Sequence, residues 1–143
     1  MESFRQGLRD AGFIEGQNVA IVLLYAKDGL QQLPELAAEL VRMNVSAIQA
    51  SGDLAPRIAQ QATTTIPIVA MSDDILGAGL ITNLSRPGGN TTGVTILSPE
   101  LSAKRLELLK DIVPGLSRVT ALWDPTTGTS QVAASESAGG AAP

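Results

Sequence analysis

Two short segments hold the side chains in this sequence best placed to do chemistry on a small molecule. In ASGDLAP, residues 50–56, Ser51, Gly52 and Asp53 follow an apolar stretch and precede a proline. Gly52 lets backbone approach closely and Pro56 suits the first turn of a helix. The amides that collect at such a turn can donate to a carboxylate, alongside the Ser51 hydroxyl. In AMSDDI, residues 70–75, Ser72, Asp73 and Asp74 follow a second apolar stretch and offer acceptors for an ammonium or hydroxyl group. Donors for a carboxylate beside acceptors for an ammonium suit an amino acid or a similar polar metabolite. Structural roles compete at both places. Ser51 or Asp53 could cap the following helix, and Asp73 and Asp74 could pin their own loop to the backbone or form an acidic pocket for a divalent cation.

Much other chemistry is excluded by composition. The chain has no histidine and no cysteine, so it can build neither a Ser-His-Asp nor a Cys-His relay, nor a zinc site with imidazole or thiolate ligands. No bound cofactor is expected. The glycine-rich stretch RPGGNTTGVT, residues 86–95, runs from turn into strand rather than from strand into helix, and it lacks both nucleotide-binding glycine patterns. Gly88 and Gly89 are read there as turn residues taking positive φ. The Asn-x-Ser/Thr triplets at Asn44, Asn83 and Asn90 are too short to carry weight.

The elements that must position the two segments alternate along the chain. Phe4, Leu8 and Ala11 recur at helical spacing over Glu2–Ala11, and Gly12 can take the left-handed conformation that closes a helix. Val19–Ala26, VAIVLLYA, is a continuous apolar run of strand length. A second helix carries Pro34 in its first turn and Leu36, Leu40 and Met43 on one side, closing at Asn44. Strands over VSAIQA and Ile66–Met71 flank a short helix opened by SGDLAP. A short helix interrupted by Gly77 and Gly79 is predicted in ILGAGLITNLS, then a strand over GVTIL. The last helix, Ser98–Val113, has Ser98 as cap, Pro99 in its first turn, Glu100 near its positive end, and Leu101, Leu108, Leu109 and Ile112 on its buried side. RVTALW is a final strand. This alternation predicts an α/β fold, an open and mostly parallel sheet with helices on both faces. It also places both polar segments on one rim, at the carboxyl ends of adjacent strands, where ligands of open α/β sheets bind. From Asp124 the chain changes to DPTTGTSQVAASESAGGAAP, read as a flexible Gly/Ser/Ala-rich tail over 124–143.

The chain has 143 residues, enough for one domain with a sizeable core, and only four aromatic side chains, so Ala, Val, Ile and Leu must form the interior. The net charge is −4 and the basic residues are scattered, which argues against nucleic acid as a partner. The longest apolar run, Val19–Ala26, falls far short of the roughly 20 residues that cross a bilayer. Met1 is followed by polar ESFRQGLRDAG rather than by an export signal, so a chain expressed as written is expected in the cytoplasm.

Several blocks resemble a known family in order and spacing: FRQGLRDAGFIEGQNVAI, LPELAAELVRMNVSAIQASG, TTTIPIVAM, SRPGGNTTGVTILSPELSAKRLELLKDIVP and RVTALWDP. Over about Phe4–Pro125 the chain is similar to the N-terminal half of bacterial ABC-transporter substrate-binding proteins, receptors of the periplasmic-binding-protein type I fold, some of which bind tryptophan or other aromatic amino acids. The resemblance implies a non-enzymatic, extracytoplasmic receptor of two α/β lobes that closes on a solute and delivers it to a membrane permease. Carried over by position, Ser51-Gly52-Asp53 and Ser72-Asp73-Asp74 match cleft-lining segments.

Departures from the family pattern shape what is expected. Family members begin with an export signal and a first strand, and they continue through a second lobe of comparable size; here residues 1–123 read as an incomplete N-terminal lobe. In a flavodoxin-like strand order the missing first strand would lie between the strands from Val19 and from Val45. Its loss would expose two sheet edges, giving marginal stability or self-association, and a lone lobe should bind solute weakly. Other readings stay open: a divalent-cation enzyme or phosphate-handling regulator using Asp73 and Asp74, the sensing domain of a transcription regulator, or a truncated product with no function of its own.

Overall fold

The computed structural model describes residues 2–96, 98–120 and 122. Its first element, α1 (Glu2–Asp10), ends as the sequence predicts. Gly12 takes a φ of +84°, its N–H donates to Arg9 O and the Phe13 N–H donates to Leu8 O. This doubled closure satisfies carbonyls that the helix end would otherwise leave bare. A single 3-10 turn over Leu30–Gln32 leads into α2 (Leu33–Arg42), with Pro34 in its first turn and Asn44 beyond its end at a φ of +52°.

Three strands follow, β1 (Ile48–Ser51), β2 (Ile68–Ser72) and β3 (Thr91–Thr95), with α3 (Leu54–Ala62) crossing between the first two. They form one parallel sheet in the order β1-β2-β3, with Ile48 opposite Ile68 and Ile68 opposite Thr91. The register puts Ile48, Ala50, Ile68, Ala70, Ser72 and Thr91 on one buried face. Beneath it lies a core of Ile48, Ala50, Ala59, Ile66 and Ile68, completed by Leu40 and Val41 of α2 and Ala55 of α3. A second cluster, Ala70, Ile75, Leu80 and Ile81, continues that core under the loop after β2. On the opposite face Val69, Met71 and Val94 are 41%, 45% and 62% exposed.

Four expectations need correction. Val19–Ala26 forms no strand ladder among the described residues; its one bridge joins Val19 to Glu15. An extended apolar run becomes a strand only when a neighbour takes up its N–H and C=O groups, and among the described residues none pairs with Ala20–Leu24. ILGAGLITNLS forms no helix but a single closed turn, in which Gly79, at a φ of +65°, reverses the chain while its N–H donates to Leu76 O and the Leu80 N–H to Ile75 O. The last helix, α4 (Ser98–Ile112), has the predicted span, yet its apolar side is exposed, to 75% at Ile112. Arg118–Thr120 are not in a strand, and the rest of RVTALW apart from Leu122 lies outside the described residues, as do the tail and the side chains of Ser98, Pro99 and Glu100.

Candidate functional site

Both polar segments sit on one rim of the sheet. Register pairs Ser51 with Met71, so the chain leaves β1 and β2 side by side at their carboxyl ends. Gly52 takes a φ of +79° as the chain turns into α3, with open space where a side chain would stand. Its own N–H is spent on Met71 O at 2.8 Å. The donors available to a ligand are therefore the amides of the first turn of α3, at Leu54 and Ala55, which helix geometry leaves without intrahelical acceptors.

The candidate residues do not all face one side of the sheet. The side chains of Asp53 and Ser72 meet on the α3 side of the sheet: the Ser72 hydroxyl donates to Asp53 Oδ1 at 2.6 Å and accepts the backbone N–H of Asp74 at 3.2 Å. Ser72 is only 1% exposed. It holds the two loops together, and a ligand above the rim would meet Asp53 rather than Ser72. Ser51 lies on the opposite, open face, where its hydroxyl accepts from Gln49 Nε2 at 3.0 Å. The sequence places Ser51 and Ser72 at one rim without showing that their alternation within each strand aims them at opposite faces.

The competing structural roles can be judged individually. Asp53 occupies the cap position of α3 but makes no side-chain cap hydrogen bond; its carboxylate is turned to Ser72. Asp74 does pin its own loop, since Oδ1 accepts the Gly77 N–H at 2.7 Å. Asp73 is half-buried, and its carbonyl accepts from Thr95 Oγ1 at 3.1 Å, which fastens the loop to β3. Among the described residues no group of three or more carboxylates, histidines or cysteines converges as a metal site would require.

Residues the sequence did not single out tie α3 to the chain between β2 and β3, from the rim down to the amino ends of the strands. From α3, Arg57 donates to Ala78 O, while Gln60 Nε2 donates to Leu80 O at 2.7 Å and to Thr91 Oγ1 at 2.9 Å. Beside Thr91, at the end of the sheet away from the rim, Asn90 Nδ2 donates to Thr63 O at 3.0 Å and to Ile66 O at 2.8 Å. The one available signal is that Arg57 and Gln60 are spaced three apart on α3, on one side of that helix.

In open parallel α/β sheets ligands bind beyond the carboxyl ends of the strands, which is where these polar loops converge. A model of the ABC transporter substrate binding protein family matches residues 1–141, and the chain belongs to that family. It is 29% identical over 133 residues to a tyrosine-binding protein of Clostridioides difficile, spanning 92% of this chain but 38% of that protein. A conserved domain protein of Vibrio cholerae matches in structure with a TM-score of 0.84 at 26% identity, over 95% of this chain and 47% of that one. An ABC domain from Streptococcus pneumoniae in complex with L-Trp matches with a TM-score of 0.87 at 23% identity, over 96% and 47%, a likeness of fold. The chain thus spans less than half the length of each of these relatives.

Proposed function

We propose that residues 1–123 form an N-terminal solute-binding lobe for an ABC-type uptake transporter, taking an amino acid or similar small organic solute at the rim between Gly52–Ala55 and Asp73–Asp74. The observation that carries this reading is the junction of the two strand-end loops through Ser72 and Asp53, which sets a carboxylate beside the open first turn of a helix. Such a pair suits the two charges of an amino-acid backbone. The relatives support the solute class, since one is a tyrosine-binding protein and another is a domain in complex with L-Trp. Membership of the family supports a permease partner and an extracytoplasmic location.

Titration of the chain with L-tyrosine, L-tryptophan and Mg²⁺, followed by amide NMR, tests the reading. Weak binding, with Kd on the order of 1 mM for contacts made by one lobe alone, should perturb Gly52–Ala55 and Asp73–Asp74, and Asp53→Asn should weaken it. Perturbations at the opposite end of the sheet, or Mg²⁺ binding at Asp73 without any amino-acid response, would refute it.

A further inference from the structure

We propose that Arg57 is a positioning residue of the solute rim, closing a ring of hydrogen bonds that fastens the loop after β2 to the start of α3. The proposal rests on the solute-binding reading for its ligand, while the ring itself is testable without one.

The ring passes through five residues. The Ser72 hydroxyl, at the end of β2, donates to Asp53 Oδ1 and accepts the backbone N–H of Asp74. The Asp74 carbonyl accepts the Ala78 N–H at 2.8 Å, and the Ala78 carbonyl accepts from Arg57 Nη2. The Arg57 N–H then returns to Asp53 O at 3.4 Å within the first turn of α3. Three of these links are local in the chain. The other two, Ser72 to Asp53 and Arg57 to Ala78, hold the loop to α3 on either side of Asp74.

An aspartate and an arginine four apart on a helix ordinarily pair with each other; here each reaches across to the β2 segment instead. The two attachments differ in kind. Ser72 is buried, whereas Arg57 is exposed, so replacing Arg57 opens the ring with little loss of packing. Ile75 and Leu80 anchor the two ends of the loop in the core. Among the described residues the Arg57 guanidinium makes the one side-chain hydrogen bond from α3 to the tip between them. With the ring closed, the amides of Leu54 and Ala55 and the groups of Asp73–Asp74 keep a fixed spacing. A solute that must touch both sets then binds without first ordering the loop, which raises affinity by preorganisation.

Native-state hydrogen exchange on the ligand-free chain reads the ring. Arg57→Ala should speed exchange at the Asp74 and Ala78 amides about tenfold relative to the sheet amides of Ile48 and Ile68; a role in overall stability alone would speed all four together. Arg57→Lys should restore the protection, because Ala78 O takes a single hydrogen bond and not the bidentate one that demands a guanidinium. Gln60→Leu removes a brace outside the ring and should leave the ratio unchanged. In an L-tryptophan titration followed by amide NMR, Arg57→Ala should raise Kd about threefold or more, and Arg57→Lys should not. An unchanged exchange ratio in Arg57→Ala, or a Kd equal to that of the parent, would overturn the proposal. A parent chain that gives no amino-acid response refutes the solute reading instead, and the exchange ratio then decides the ring by itself.

Discussion

The Ser72 hydroxyl at the end of β2 lies 2.6 Å from the Asp53 carboxylate at the start of α3, joining the two loops on which the candidate site is built. The same oxygen accepts the Asp74 N–H. One buried hydroxyl therefore holds the Asp53 side chain of one loop and the backbone of the other at Asp74, and its loss should be felt in stability before it is felt in binding.

Ser72→Ala removes the donor from a half-buried carboxylate. Hydrogen bonds to charged groups are worth about 1.5–3 kcal/mol when buried, and the partial exposure of Asp53 brings the expected loss toward about 1 kcal/mol. Asp53→Asn keeps an acceptor oxygen and should cost less. Equilibrium urea unfolding checks the order; equal losses in the two variants would show that the bond does not hold the loops.

Gly93→Ala should be the more damaging of two glycine substitutions. An added Cβ would run into the Ala70 carbonyl, with the Ala70 amide nitrogen 3.0 Å away, and backbone on both sides of the ladder cannot give without opening the Ala70–Gly93 pair. The expected cost is about 3 kcal/mol. At Gly52 there is open space around the Cβ position and only the φ of +79° opposes a side chain, which costs about 1–2 kcal/mol. Thermal melts of both variants test the ranking.

Asn90 ties β3 to the segment before β2 through two donated hydrogen bonds to carbonyls. Asn90→Ala should cost about 1–3 kcal/mol, since two half-buried carbonyls lose their partner. Asn90→Asp should cost more at neutral pH, because a carboxylate would face two oxygens it cannot donate to. Denaturation of the three proteins side by side checks this; an aspartate variant as stable as the parent would refute the assignment.

The Lys104–Glu107 pair on α4 makes a pH prediction. The Lys104 ammonium, by its 2.7 Å hydrogen bond and its charge, holds the Glu107 carboxyl below the usual glutamate range. A depressed acid contributes stability above its free pKa and loses it as pH falls through the depressed one. Glu107 is fully exposed, so the effect should be small and fade in salt. An NMR titration should show its pKa rising toward the ordinary value in Lys104→Gln; an unchanged pKa would discard the pairing.

Much of the fold was legible along the chain. Gly12, Pro34 and Asn44 mark helix ends by steric rules that act within a few residues, and the structure uses all three as predicted. Alternating apolar stretches announced the parallel strands, and with them the shared rim of Ser51 and Ser72. The misreadings have a common origin. Val19–Ala26 has the composition of a strand and α4 the periodicity of a packed helix, yet neither pattern names the surface that must cover it. Gly79 weakens a helix pattern without showing that the chain reverses there.

The sequence by itself determined the local conformations, the α/β order and the rim on which the polar loops gather, because backbone sterics and hydrophobic spacing are properties of neighbouring residues. Only the tertiary structure decided that Ser72 is buried against Asp53, that Ser51 faces the other side of the sheet, and that Val19–Ala26 forms no strand ladder among the described residues. Each of those depends on contacts between residues far apart in the chain, and distance in space is set by packing rather than by order along the backbone.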